Sequence, residues 1–271
     1  TEAATELLTA EEPESEQAQT GKTETELESE TAVKEETESE SGQDLLVTKE
    51  TETESETEPE SEQLVVAIDP GHQGNWVDMS EKEPNGPGSS EMKAKATTGT
   101  QGSFSGKAEY ELNLEISLLL RDELEKRGYR VILTREDNDT AISNAERALK
   151  AYDEGGEIYV RIHANGDDSA DVSGALTMCP SQQNPYVSSL YDSSNKLSKC
   201  IVDSYCAATG FQNRGIIYTD SMTGINWSTI PVTIVEMGFM TNQSDDLKMA
   251  DSSFQQTMAE GIANGIDAYF Q

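Results

Sequence analysis

Val65-Val66-Ala67-Ile68-Asp69-Pro70-Gly71-His72 is a short, β-branched apolar run that stops at Asp-Pro-Gly and delivers a histidine. It reads as a buried strand handing its next loop to a site. The only other histidine in the chain, His163, follows Glu157-Ile158-Tyr159-Val160-Arg161-Ile162, a second strand-like run that also ends in a small polar turn, Ala164-Asn165-Gly166. In an open α/β sheet, ligands bind in the crevice at the carboxyl ends of the strands, so two histidines placed there can face one spot. Taken singly, a loop histidine is ordinarily exposed or hydrogen-bonded. A pair also falls short of a catalytic zinc site, which needs three protein ligands and an open position.

Outward from these two strands, the pattern alternates. Leu112, Ile116, Leu119, Leu120 and Leu124 recur at helical spacing from Glu109, with Gly128 at the expected stop, so a helix is predicted over 109–127. Strand 129–133, a helix over 140–153 carrying Arg147, the His163 strand, strand 174–178, an amphipathic helix 187–208 and strand 214–218 come next. Val232-Thr233-Ile234-Val235 then runs into Glu236-Met237-Gly238-Phe239. Helices over 243–250 and 252–270 close the chain, and their stripe of Met258, Ile262, Ile266 and Phe270 reads as core. The fold class is α/β, a single-domain, mostly parallel twisted sheet with helices on both faces. The Gly-, Pro- and Ser-rich stretch 73–108 reads as one long loop bordering the crevice, more mobile than the sheet.

Charge divides the 271 residues unevenly. Residues 1–62 hold 22 of the 52 acidic and 3 of the 19 basic residues, a net of −19 out of −33. Built from Thr-Glu and Ser-Glu alternations without an aromatic residue, this part cannot bury enough surface to offset its ordering entropy, and a disordered linker is expected. The folded domain is then 63–271, expected to be a monomer. Such acidity argues against nucleic acid as a partner. Apolar runs are far short of the ~20 residues that span a bilayer, so no transmembrane segment is expected. An acidic tether at the start resembles the mature or trimmed form of a longer product, in which any leader or lipid anchor would lie upstream. Cys179, Cys200 and Cys206 are odd in number and read as small filler. Cys200 and Cys206 are about 9 Å apart along a helix, out of disulfide reach.

Collected at the carboxyl edge are His72, His163, Glu236 and Glu109, the last at the first turn of the helix after the long loop. Two imidazoles and one carboxylate make a common catalytic zinc set, and a further carboxylate can serve as base. A carboxylate at a helix start also has a simpler use, the helix dipole.

The strings Val66-Ala67-Ile68-Asp69-Pro70-Gly71-His72, Glu109-Tyr110-Glu111-Leu112-Asn113-Leu114, Leu133-Thr134-Arg135, Ile162-His163-Ala164-Asn165 and Glu236-Met237-Gly238-Phe239-Met240-Thr241-Asn242 resemble, in order, the zinc-dependent N-acetylmuramoyl-L-alanine amidases of bacterial cell walls. The resemblance covers roughly 64–271. It implies that His72, Glu109 and His163 hold zinc, that Glu236 is the catalytic base, and that the substrate is peptidoglycan outside the cytoplasm. Gln73 stands where the family usually has glycine, and Arg161 where a serine is common. Glu81, Glu83 and Glu91 compete with Glu109 for the carboxylate ligand, but only Glu109 has the Leu-Asn-Leu context. A zinc peptidase or deacetylase, or a non-catalytic wall-binding module, stands as the alternative. Glu236 speaks against the module, which has no need of it.

Overall fold

A computed structural model describes residues 63–271; the linker expected over 1–62 lies outside the described residues. In chain order the elements are β1 (Val65–Pro70), β2 (Lys82–Pro84), β3 (Met92–Ala94), α1 (Glu109–Lys126), β4 (Arg130–Leu133), α2 (Asn144–Asp153), β5 (Ile158–Asn165), β6 (Ala175–Cys179), α3 (Tyr191–Thr209, entered by a 3-10 turn), β7 (Asn213–Tyr218), α4 (Thr223–Asn226), β8 (Val232–Phe239), α5 (Gln243–Ala250) and α6 (Ser252–Phe270).

Six strands form the main sheet in the order β4-β1-β5-β8-β6-β7. β4, β1, β5 and β8 run parallel, whereas β6 is antiparallel to β8 and carries β7 parallel to itself. The carboxyl ends of β1, β5 and β8 therefore meet in the middle of one edge. Because side chains alternate across a strand, one face presents Val66, Ile68, Val160, Ile162, Val235 and Met237. These pack against Leu112, Ile116, Leu120 and Leu124 of α1, Leu197 and Ile201 of α3, and Met258, Ile262 and Ile266 of α6. α6 approaches α3 closely at Gly265, where a Cβ would lie 2.4 Å from the Ile201 Cα. The opposite face is apolar only at its base, where Val65, Ala67, Tyr159 and Ile234 meet Ala148 and Ala151 of α2 and Ile225 of α4. Towards the carboxyl edge the same rows continue as Asp69, Arg161, His163 and Glu236. Cys179 and Cys206 are buried, Cys200 is half-buried, and all three are free. Among the described residues no helix is long and apolar enough to cross a membrane.

Two readings of the sequence need correction. The stretch 73–108 is not one open loop. Lys82–Pro84 and Met92–Ala94 pair as an antiparallel hairpin that is fastened to α4 by bonds from Trp227 Nε1 to the Pro84 carbonyl and from Asn226 Nδ2 to the Asn85 carbonyl, each 2.9 Å. Three-residue strands of mixed polarity carry no readable period. Second, His163 and Glu236 lie within their strands, not after them. The β5–β8 ladder runs to Asn165 and Phe239, with a register shift just beyond His163.

Candidate metal centre

Asp-Pro-Gly does more than end β1. Residue 72 adopts a φ of 62°, the only positive φ of a non-glycine residue among the described residues. Strain of this kind persists where the surroundings over-determine it, and here two buried arginines supply the grip. Arg147 of α2 donates to the carbonyls of Pro70 (2.8 Å) and His72 (2.9 Å), and to Gln73 Oε1 (2.6 Å). Arg135, after β4, donates to the carbonyls of Pro70 (2.8 Å), Gly71 (3.0 Å) and Tyr110 (2.8 Å). Three successive carbonyls of the turn are thereby fixed from outside. Asp69 anchors the arrangement, accepting from Arg147 at 2.6 Å and Arg161 at 2.8 Å, and from the Thr134 hydroxyl. Burial would raise its pKa, but the two guanidiniums outweigh that and hold the carboxyl far below the usual range. The two departures from the family pattern, Gln73 and Arg161, thus belong to one network around Arg147 and Asp69.

Held this way, His72 turns Nε2 towards His163 Nδ1 (3.2 Å) and Glu109 Oε1 (3.1 Å), and His163 Nδ1 lies 3.2 Å from the same carboxylate oxygen. His72 Nδ1 is 2.8 Å from the Thr97 carbonyl. A carbonyl can only accept, so in the neutral ring, the ligating form, the proton sits on Nδ1 and a bare lone pair is left on Nε2. With both rings neutral and Glu109 ionised, at most one proton, that of His163, remains for three converging lone-pair atoms. If it sits on Nδ1, buried His163 Nε2 keeps an unused lone pair; that atom has no partner. If it sits on Nε2, lone pairs confront one another. A cation resolves either case. Ligands ~2.0–2.1 Å from a tetrahedral zinc are about 3.3 Å apart, which the three observed separations approach. The donor set therefore fits a metal.

Glu109 opens α1, whose N-cap Ala108 offers no side-chain cap. Its carboxylate accepts from the Thr100 amide (2.8 Å), the Ala164 amide (3.1 Å) and Asn113 Nδ2 (3.2 Å). Burial acts to raise its pKa, yet positive charge on the facing His72 and His163 rings, when they are protonated, and hydrogen bonds from both hold it well below the ordinary carboxylate range. Burial pushes His163 down to about 4, against the pull of Glu109. Carboxylate and neutral imidazole are the ligating forms. There is no space to spare: a Cβ on Gly71 would meet the His163 ring at 2.2 Å, and one on Gly99 would meet Glu109 Oε2 at 2.5 Å. Glu236 stands opposite His163 in the parallel register. It is half-buried, and burial pushes its pKa up to about 8, with the Glu109 charge adding to that and Arg161 opposing it.

Of the four residues singled out in the sequence, then, His72, Glu109 and His163 share one point, and Glu236 is the next position across the sheet. The competing carboxylates lie elsewhere: Glu81 pairs with Lys95 at 2.6 Å, Glu83 accepts from the Ala145 amide at 3.2 Å, and Glu91 accepts from Asn85 at 3.0 Å. Supporting groups that sequence reasoning passed over are Thr97, Thr100 and Asn113. Asn113 carried a signal, since it falls one helical turn after Glu109 and so on the same face. The two threonines carried none.

A cation-ready pair of imidazoles and a carboxylate, with a second carboxylate on the adjoining strand, defines the class of metal-dependent hydrolases. Comparison narrows the class. The pattern of the family described as N-acetylmuramoyl-L-alanine amidase matches residues 66–268. The chain is 31% identical over 167 residues to YqiI of Bacillus subtilis, covering 61% of this chain and 76% of that one. It is 30% identical over 168 residues to the N-acetylmuramoyl-L-alanine amidase LytC of the same organism, covering 61% of this chain and 32% of LytC. Among solved structures it is similar to the apo form of the N-acetylmuramyl-L-alanine amidase of Mycobacterium abscessus, with 27% identity, a TM-score of 0.70, and 77% of this chain matched to 99% of the other. The chain belongs to the N-acetylmuramoyl-L-alanine amidase family of metal-dependent peptidoglycan amidases.

Proposed function

We propose that the domain uses zinc, held by His72, Glu109 and His163, to hydrolyse the amide between the lactyl group of N-acetylmuramic acid and L-alanine of the stem peptide, with Glu236 as the general base. The observation that carries this reading is the convergence of His72 Nε2, His163 Nδ1 and Glu109 Oε1 at 3.1–3.2 Å, short of protons, with Glu236 beside them in register. Zinc bound there supplies a Lewis acid that lowers the pKa of water towards ~7 and polarises a carbonyl. The chain's own residues do the rest. The Thr97 carbonyl fixes the His72 tautomer, and the amides of Thr100 and Ala164 hold Glu109 as an oriented anion. Glu236 takes the proton of the attacking water and returns it to the leaving nitrogen of L-alanine. The products are a lactyl carboxylate on the sugar and a free amine on the peptide. Peptidoglycan as substrate places the reaction outside the cytoplasm.

The test is Glu236→Gln, which keeps size and hydrogen bonding but removes the basic oxygen. Zinc per chain should stay at the parent's level while hydrolysis falls by about 10²–10⁴, the usual contribution of a positioned general base. Mass spectrometry of parent digests should find new amino termini on L-alanine. Cleavage inside the stem would mark a peptidase, loss of acetyl groups a deacetylase, and full activity in the Gln variant would remove Glu236 from the mechanism.

A further inference from the structure

Trp76 is 61% exposed, the most exposed of the large apolar side chains among the described residues. An indole left in water for no purpose has no reason to be held still, yet this one is restrained three times. Its Nε1 donates to Asp139 Oδ1 at 2.6 Å. Its ring stands perpendicular to that of Tyr110, 5.9 Å between centroids with the planes at 89°. Beneath it is Gly74, where a Cβ would lie 2.4 to 2.7 Å from three ring atoms, so the absence of a side chain there is what lets the indole settle. The floor is itself fixed, since the Gly74 amide donates to the Asn138 carbonyl at 2.8 Å and Val77 closes the turn back onto Gly74 at 2.9 Å. Both partners are tied to the metal centre by sequence: Trp76 follows His72 by four positions, and Tyr110 adjoins Glu109.

We propose that the open face of Trp76 is a stacking platform for a pyranose ring of the glycan strand, a sugar subsite beside the scissile amide; this rests on the amidase reading above. An aromatic face carries partial negative charge and attracts polarised edges, and the axial C–H groups on one side of a pyranose present such a surface. The acidic side chains beside the platform favour the sugar over the peptide, while the nearby Arg135 guanidinium is buried and committed to the Tyr110 and Asp137 carbonyls and Asn138. Asp139 holds the indole, and Glu111 acts on Tyr110, so the carboxylates of a stem peptide would be repelled here. In the intact substrate the lactyl carboxyl is consumed in the amide and the saccharide is uncharged. Hydrolysis exposes that carboxylate on the sugar side, and the same acidic surroundings then favour release.

The experiment compares the parent with Trp76→Ala and Trp76→Tyr on two substrates, a disaccharide-bearing muropeptide and a D-lactyl stem peptide that keeps the scissile amide but lacks the ring. For Trp76→Ala the KM for the muropeptide should rise about tenfold, within the range of aromatic stacking, and the KM for the sugar-free substrate less than twofold, with zinc per chain as in the parent. Trp76→Tyr should recover most of the difference. Independently, a β-1,4-linked N-acetylglucosamine tetramer should shift the tryptophan fluorescence of the parent, excited where tyrosine does not absorb, and not that of Trp76→Tyr, whose one tryptophan is Trp227. Equal KM effects on the two substrates would overturn the platform, as would an unmoved fluorescence signal at millimolar tetramer. If the parent cleaves neither substrate, it is the amidase reading that fails, and the tetramer titration still decides the fate of the sugar subsite.

Discussion

Asp69 and His72 are three residues apart, buried or half-buried at the same sheet edge, and their surroundings are opposites. Around Asp69 the charged groups are matched, and only the neighbouring Tyr159 hydroxyl is left without a partner. Arg147 places all its donors, on Ile142, Asp69, Pro70, His72 and Gln73, and Arg161 divides its own between Asp69 and Asn144. Around His72 the lone pairs outnumber the protons, and buried His163 Nε2 has no partner at all. A charged cluster that satisfies itself is scaffold, because buried polar groups cost free energy only when left unpaired. One that does not is built for something the chain does not supply. The clusters also complement each other in charge: Asp69 faces Arg135, Arg147 and Arg161, and of that surplus of positive charge Arg161 acts directly on Glu236.

The comparison predicts that the two clusters fail in different ways. Replacing both His72 and His163 with Ala should abolish bound zinc and muropeptide turnover. The fold should survive, since neither ring belongs to the apolar clusters on the two sheet faces. Metal analysis and circular dichroism on the same preparation check this. Zinc retained in full would show that the lone-pair triangle is not the binding site.

Asp69→Asn should do the reverse. It leaves buried guanidiniums without their counter-charge, and breaking such a pair costs about 3–5 kcal/mol, read as a lowered urea midpoint. Zinc per folded chain should stay nearly the same. Titration offers a second view. The folded pKa of Asp69 lies below the unfolded value of about 3.9, so its contribution is present above about pH 4 and is lost as pH falls below that. The parent should therefore lose more stability than the Asn variant on acidification below about pH 4. Parallel acid limbs would mean that Asp69 is not the anchor.

The scaffold cluster was the less legible of the two. His72, His163, Glu109 and Glu236 each stand next to a local signal, a strand or helix end, so their meeting follows once the sheet is recognised. α5 and α6 keep the bounds expected of them, and in the structure Asn242 and Asp251 cap them through their own side chains. Asp69, by contrast, draws partners from positions 134, 147 and 161. A buried aspartate at a strand end looks like any turn residue until those partners are in place. The direction of β6 was equally hidden, since an apolar run of five has the same period whichever way it lies. The hairpin within 73–108 is hidden in the sequence because its fastenings, to Asn226 and Trp227 and to the start of α2, lie far along the chain.

The smallest expected effect asks whether the scaffold is one unit, and it turns on the start of α2. Ser143 caps that helix, its hydroxyl accepting from the Glu146 amide at 3.2 Å while Glu146 Oε2 accepts from the Ser143 amide at 2.8 Å. The first turn so fixed carries Asn144, whose Oδ1 accepts from Arg161 at 2.7 Å, and, one turn later, Arg147, which grips Asp69 and the His72 turn. Ser143→Ala should cost about 1 kcal/mol, the usual value of a lost N-cap, with bound zinc unchanged. The informative quantity is its coupling to Asp69→Asn. If the cap stabilises α2 only locally, the two costs add to within ~0.5 kcal/mol, as independent sites do. If it acts by aiming Arg147 and Asn144 at the network, the double variant should lose less than the sum, because once Asp69 is neutral there is less for the arginines to be aimed at. Urea unfolding of the four proteins measures this. Strict additivity would break the picture of a single scaffold behind the ligand edge and reduce it to neighbouring but separate contacts.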